Sequence, residues 1–117
     1  MINDSGIARL IELVEADISY VAVGTGSVAI SSTQLGNEIF RKSVSDTEID
    51  GNTLIVECFF DTSEANNTLT EIGSLADGAT GSAGTGTLFA TSLSSVEKDN
   101  TQSLTVSFEI EFSEVTA

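Results

Sequence analysis

Histidine, tryptophan and proline are absent from this chain of 117 residues, and it has one cysteine. Without histidine, and with Cys58 set among apolar strand residues, the usual acid-base and nucleophilic players of catalysis are missing. Without tryptophan there is no indole platform for sugar stacking. The chain therefore reads as a non-enzyme without a cofactor. A lone thiol cannot close an internal disulfide, and a small buried thiol is the expected state of Cys58. Cationic side chains are as scarce: Arg9, Arg41, Lys42 and Lys98 stand against 18 acidic residues, for a formal charge of -14. That balance repels phosphate backbones and anionic membrane surfaces, and it excludes nucleic acid as a partner class. No apolar run approaches the ~18 residues that cross a bilayer, and Met1 to Ala8 has neither the basic start nor the apolar stretch of a secretory signal. No membrane insertion is expected, and synthesis without a signal peptide is.

So many carboxylates strain a compact fold by self-repulsion in dilute buffer. At ~1 M salt the Debye length is about 3 Å and the strain is relieved. The composition fits a salt-loving host, or an ordinary acidic protein kept soluble by its charge. The length fits one domain, residues 1–117, able to bury about 65% of its unfolded surface.

What the chain does have is alternation. Leu104, Val106, Phe108, Ile110 and Phe112 alternate with Ser103, Thr105, Ser107, Glu109 and Glu111, the period of a strand with one buried and one wet face. A one-residue slip would drive Glu109 and Glu111 into the core. Thr53 to Asp61 repeats the pattern. Leu54, Val56, Cys58 and Phe60 share one face, while Ile55 and Phe59 make the other unusually apolar, so covering on both faces is expected. Asp50-Gly51-Asn52 before it is a strong hairpin signal. Further strands are expected over Ile18 to Val23, within Glu38 to Ile49, over Thr68 to Ala76 and over Thr87 to Leu93. The last of these is expected to pair with 104–112 through a polar turn near 97–102. At the other end, Ile7, Leu10, Ile11 and Val14 fall at helical spacing with Asp4 or Ser5 as N-cap. The expected fold is mainly β: an antiparallel β-sandwich or flattened barrel of about six strands over residues 18–113, with one N-terminal amphipathic helix over about 4–16.

Three features could carry chemistry. Asp46, Glu48, Asp50 and Gly51, with Glu57 following, approach the ligand spacing of a calcium loop. That loop lies between helices, whereas these residues lie between strands, so Asp46, Glu48 and Asp50 are weak candidates for a hard cation. The many carboxylates could supply a glycosidase pair only across a cleft for which a small domain has little room. Asn66-Asn67-Thr68 and Asn3-Asp4-Ser5 meet the glycan-acceptor pattern, Asn66 on an expected loop. The turn Gly24-Thr25-Gly26 lacks the following lysine or glycine of a phosphate-binding loop. Residues 77–86, rich in Gly, Ala, Ser and Thr, form an expected loop with a mobile tip.

A set of short motifs in fixed order completes the picture. Val21-Ala22-Val23-Gly24-Thr25-Gly26, Leu35-Gly36-Asn37-Glu38 leading to Arg41-Lys42, Gly51-Asn52-Thr53, Ser63 to Gly73, Gly86-Thr87-Leu88-Phe89-Ala90 and Leu104-Thr105-Val106 together resemble the small tail-fibre-like proteins of tailed bacteriophages. The likeness spans nearly the whole chain, although the family often has a proline soon after the Gly-Thr-Gly turn and is less acidic. The resemblance implies a virion component near the tail, baseplate or fibres, with no catalytic residues to carry over. Combined with the acidity, it suggests a tailed virus of a salt-loving archaeon.

The expected partners are copies of the chain, in a ring or trimer, and other virion proteins. Ile7, Leu10, Ile11 and Val14, or Ile55 and Phe59, are the expected contacts. A receptor-binding module presenting loop 77–86 to a host surface glycan is the alternative.

Overall fold

The computed structural model describes residues 1–113, so 114–117 of the expected domain lie outside the described residues. Helix α1 (Asp4–Asp17) is followed by seven strands: β1 (Tyr20–Gly24), β2 (Glu38–Ser43), β3 (Asp46–Asp50), β4 (Thr53–Phe60), β5 (Asn67–Ala76), β6 (Thr87–Lys98) and β7 (Leu104–Glu111). They form two antiparallel sheets, one ordered β2-β1-β5-β6 and the other β3-β4-β7.

Alternation places the core. Leu54, Val56, Cys58 and Phe60 are fully buried, and their partners across the β4/β7 ladder are Ile110, Phe108, Val106 and Leu104. The same apolar cluster takes Val21 and Val23 from β1, Leu69 and Ala76 from β5, and Ile11 and Ile18 from the N-terminal segment. One core thus draws on both sheets and the helix. Phe40 and Phe60 meet edge to face at 5.9 Å within it, a favoured aromatic geometry. A second, smaller cluster of Ala22, Val28, Leu35 and Leu75 lies apart from the first. Consecutive strand residues face opposite ways, so Val21 and Ala22 put these clusters on opposite faces of the four-stranded sheet. The 25–37 connection covers its outer face.

Several expectations need correcting. β6 and β7 do not pair with each other: β6 joins β5 and β7 joins β4, in different sheets. Between them lies an open slot of ≈ 370 Å³ lined by Ile72, Val96, Leu104, Val106 and Phe108 among others. The flattened barrel is thereby excluded, since the assembly is not closed, and the strands number seven rather than six. The segment 38–49 is two strands, not one. At Val44-Ser45 the chain passes between sheets, with Val44 N–H bound to the Ser19 carbonyl and Ser45 N–H to that of Glu57. The helix begins after Asn3, whose side chain makes no capping bond, rather than after Asp4 or Ser5. β3 and β4 meet at the expected turn, where Gly51 has a φ of 60°, in the left-handed region that glycine tolerates.

Candidate functional site

Among the carboxylates of the described residues Glu71 is the most deeply set, with a relative exposure of 0%. It stands on β5 on the face of Gly73 and Leu75, beneath the 25–37 connection. Its Oε2 accepts the backbone N–H groups of Gly26 at 2.9 Å and Asn37 at 2.7 Å, and its Oε1 accepts that of Gly36 at 2.8 Å. Thr70 Oγ1 donates to the Gly26 carbonyl, Thr25 N–H to the Asn37 carbonyl, and Asn37 Nδ2 to Thr25 Oγ1. Converging backbone N–H groups make an anion cradle, and this one is filled by the protein's own carboxylate. Gly26 and Gly36 admit it: a Cβ on Gly26 would lie 2.6 Å from Asn37 N and 2.8 Å from Glu71 Oε2, and one on Gly36 2.9 Å from Ser27 N. The Gly-Thr-Gly turn, the Leu35-Gly36-Asn37 segment and Glu71-Ile72-Gly73 are therefore parts of one structural joint. Sequence reasoning had the three motifs but not their meeting point.

Arg41 makes the second joint. Its Nε and Nη2 hold the two carboxylate oxygens of Glu38 at 2.7 and 2.8 Å, and its Nη1 donates to the carbonyls of Thr80 and Thr85 and to Thr85 Oγ1. The planar fork serves β2 and the 77–86 loop at once. Thr85 Oγ1 also donates to the Ser82 carbonyl. These bonds fasten the loop expected to have a mobile tip at Thr80, Ser82 and Thr85. Lys98 makes a third joint, its buried Nζ donating to the Asp61 carbonyl at 2.8 Å and to Asn66 Oδ1 at 2.7 Å. Asn66 Nδ2 donates to the Thr62 carbonyl, so the candidate glycan acceptor, though exposed, helps close the β4–β5 crossover. Lys42 pairs with Glu64 at 2.6 Å in the same region and lies 5.9 Å from the ring centre of Phe59.

Ionisation follows these contacts. The hydrogen bond to Glu64 raises Lys42 above its ordinary value. Hydrogen bonds from Ser63 and Thr101 hold Asp61 and Asp99, respectively, below theirs. Burial pushes the Cys58 thiol up to about 11, which leaves it protonated and unreactive at neutral pH.

The expected contact residues divide. Ile11 is buried in the core, and Ile7 and Val14 pack against it. Those three dock the helix on its own sheets. Leu10 stays exposed, beside Leu13, which the helical stripe did not include. With Val14, Ile18, Ala76 and Phe89 they line a groove of ≈ 340 Å³. On β4, Ile55 is half buried and Phe59 exposed. The expected cover over this outer face is not supplied by the helix or the other sheet. Register shows what surrounds it: Ile55 lies between Glu48 and Glu109, Glu57 faces Asp46, and Thr53 lies between Asp50 and Glu111. The face is ringed by carboxylates. Asp46, Glu48 and Asp50 are spread along one exposed strand face rather than wrapped around a point. Among the described residues no three metal-ligating side chains converge. Nor is any helix of the described residues long and apolar enough to cross a membrane.

Comparison with known proteins adds no relative, because the chain matches no protein-family model and no curated protein sequence.

Proposed function

We propose that this chain is a non-enzymatic structural protein of a tailed virus, a component of its tail, fibre, baseplate or capsid appendages. Its two sheets act as a β-sandwich, and it works by packing against copies of itself and other virion proteins. The observation that carries this reading is an apolar surface left open on a strongly acidic chain: Leu10, Leu13 and Phe89, which line one groove, are 44%, 49% and 44% exposed. Such side chains on a small domain are partner surface. The motifs shared in order with tail-fibre-like proteins support it from another side. Gly24 to Gly26, Gly36-Asn37, Arg41 and Glu71 are spent on internal joints, as suits a rigid building block.

The alternative, a receptor module using loop 77–86, draws less support. That loop turns carbonyls of Thr80 and Thr85 inward to Arg41 and carries no aromatic side chain for a sugar face. The acidity is read as adaptation to a briny host. Quantitative mass spectrometry of purified tailed particles from the source cells tests the proposal. The chain is expected there in many copies per particle. Particles complete without it, with the chain free in the cell, would refute a virion role.

A further inference from the structure

The two sheets end in four strands, β2, β6, β3 and β7, and an edge strand presents main-chain donors and acceptors to any neighbour. Three of these are guarded by charge. Glu38, Arg41 and Lys42 lie on β2, Asp46, Glu48 and Asp50 on β3, and Glu109 and Glu111 on β7. β6 is different. At 12 residues it is the longest strand, roughly 40 Å at about 3.3 Å per residue, and from Thr87 through Val96 it has no ionisable side chain. Phe89 and Leu93 stand exposed on it, and Phe89 continues into the groove with Leu10 and Leu13. Register shifts against β5 near Thr70 and at Ser74/Leu75 are its main irregularities.

We infer that β6 pairs antiparallel with β6 of a second copy across a two-fold axis, joining two four-stranded sheets into one continuous sheet. The choice of a second copy follows from charge. Each copy carries -14, so most approaches set carboxylate against carboxylate. Contact through Ile55 and Phe59 would bring together two rings built from Asp46, Glu48, Asp50, Glu57, Glu109 and Glu111. An antiparallel two-fold contact sets a strand against itself, so the uncharged run of β6 meets the uncharged run of its partner. A basic partner would be drawn to the carboxylate faces instead. This deepens the packing role proposed above and rests on it.

Sedimentation equilibrium in about 1 M KCl, where surface repulsion is screened, tests it with the wild-type chain, Leu93→Lys and Thr91→Lys. Both substituted positions are exposed on β6, and far-UV circular dichroism checks that the variants fold. The wild type is expected at twice the 12.2 kDa chain mass and the variants at that mass, with self-association weakened at least about tenfold. Hydrogen exchange on the wild type gives an independent reading, with slowing of the 88–96 amides as concentration rises. A dimer that survives both substitutions, a trimer, or 88–96 amides indifferent to concentration would overturn the β6 contact while leaving packing of copies standing. A wild-type monomer at every salt concentration would overturn both.

Discussion

At the scale of single residues, the chain resolves a conflict that would otherwise count against folding: a carboxylate with no exposure in a protein that already carries too many. Glu71 is tolerable there because three backbone N–H groups reach its oxygens at 2.7 to 2.9 Å. Charge-assisted bonds of this kind contribute about 1.5–3 kcal/mol each, and a buried donor left unpaired costs about 1–3. Glu71→Ala strands all three donors, so it should cost at least about 3 kcal/mol in urea unfolding and loosen amides 24–37 in hydrogen exchange. Glu71→Gln keeps the shape but turns an NH2 group toward one or two of the donors. Its loss should be smaller, about 1–3 kcal/mol. Equal stability of wild type and Ala variant would remove the joint from the account. Cys58 carries the opposite expectation. With its thiol raised to about 11 by burial, iodoacetamide at pH 8 should label it only after denaturation, and fast labelling of the native chain would show an open β4/β7 ladder.

At the scale of elements, Arg41 is the strap between β2 and the 77–86 loop. Arg41→Lys keeps the charge but cannot hold Glu38 through two nitrogens while also reaching the carbonyls of Thr80 and Thr85. Protease nicking within 77–86 should therefore rise several-fold in that variant, with the sheets unaffected. The same scale shows what the sequence made legible. Strict alternation in 104–112 and 54–60 marks the buried face of each strand, because a half-buried strand cannot hide its period. Asp50-Gly51 marks a hairpin, because few residues accept the dihedrals it needs. Helical spacing of Ile7, Ile11 and Val14 marks the docked stripe. Strand partners were not legible. A polar turn at 97–102 looks the same whether it closes a hairpin or carries the chain to the other sheet, and β6 to β7 is the second case. The break at Val44-Ser45 was hidden for a related reason: an extended corner between sheets keeps strand-like composition. Glu71 could not be found at all from periodicity, since its acceptors' partners lie 34 to 45 residues away.

For the whole molecule, the question is how a chain of charge -14 stays compact, and the outer face of the three-stranded sheet localises the answer. Asp46 faces Glu57 directly across β3 and β4, and Glu48 and Glu109 flank Ile55. Directly opposed like charges in a ladder are destabilising by about 0.2–1 kcal/mol a pair. Lys42 reaches Phe59 on β4 but is committed to Glu64, and Arg41 lies on the other sheet, committed to Glu38. Screening at ~1 M salt, with a Debye length of about 3 Å, should therefore supply what composition does not. Thermal melts are expected to shift upward steadily from dilute buffer to molar KCl. Glu57→Gln should raise stability by about 0.5 kcal/mol in dilute buffer and by nothing measurable in molar salt, because it removes the repulsion that salt removes. The two effects share one cause, so they stand or fall together. A Glu57→Gln gain that persists undiminished in molar salt would point to packing rather than charge on this face, and a melting temperature flat across the salt series would separate the acidity of the chain from the conditions under which it folds.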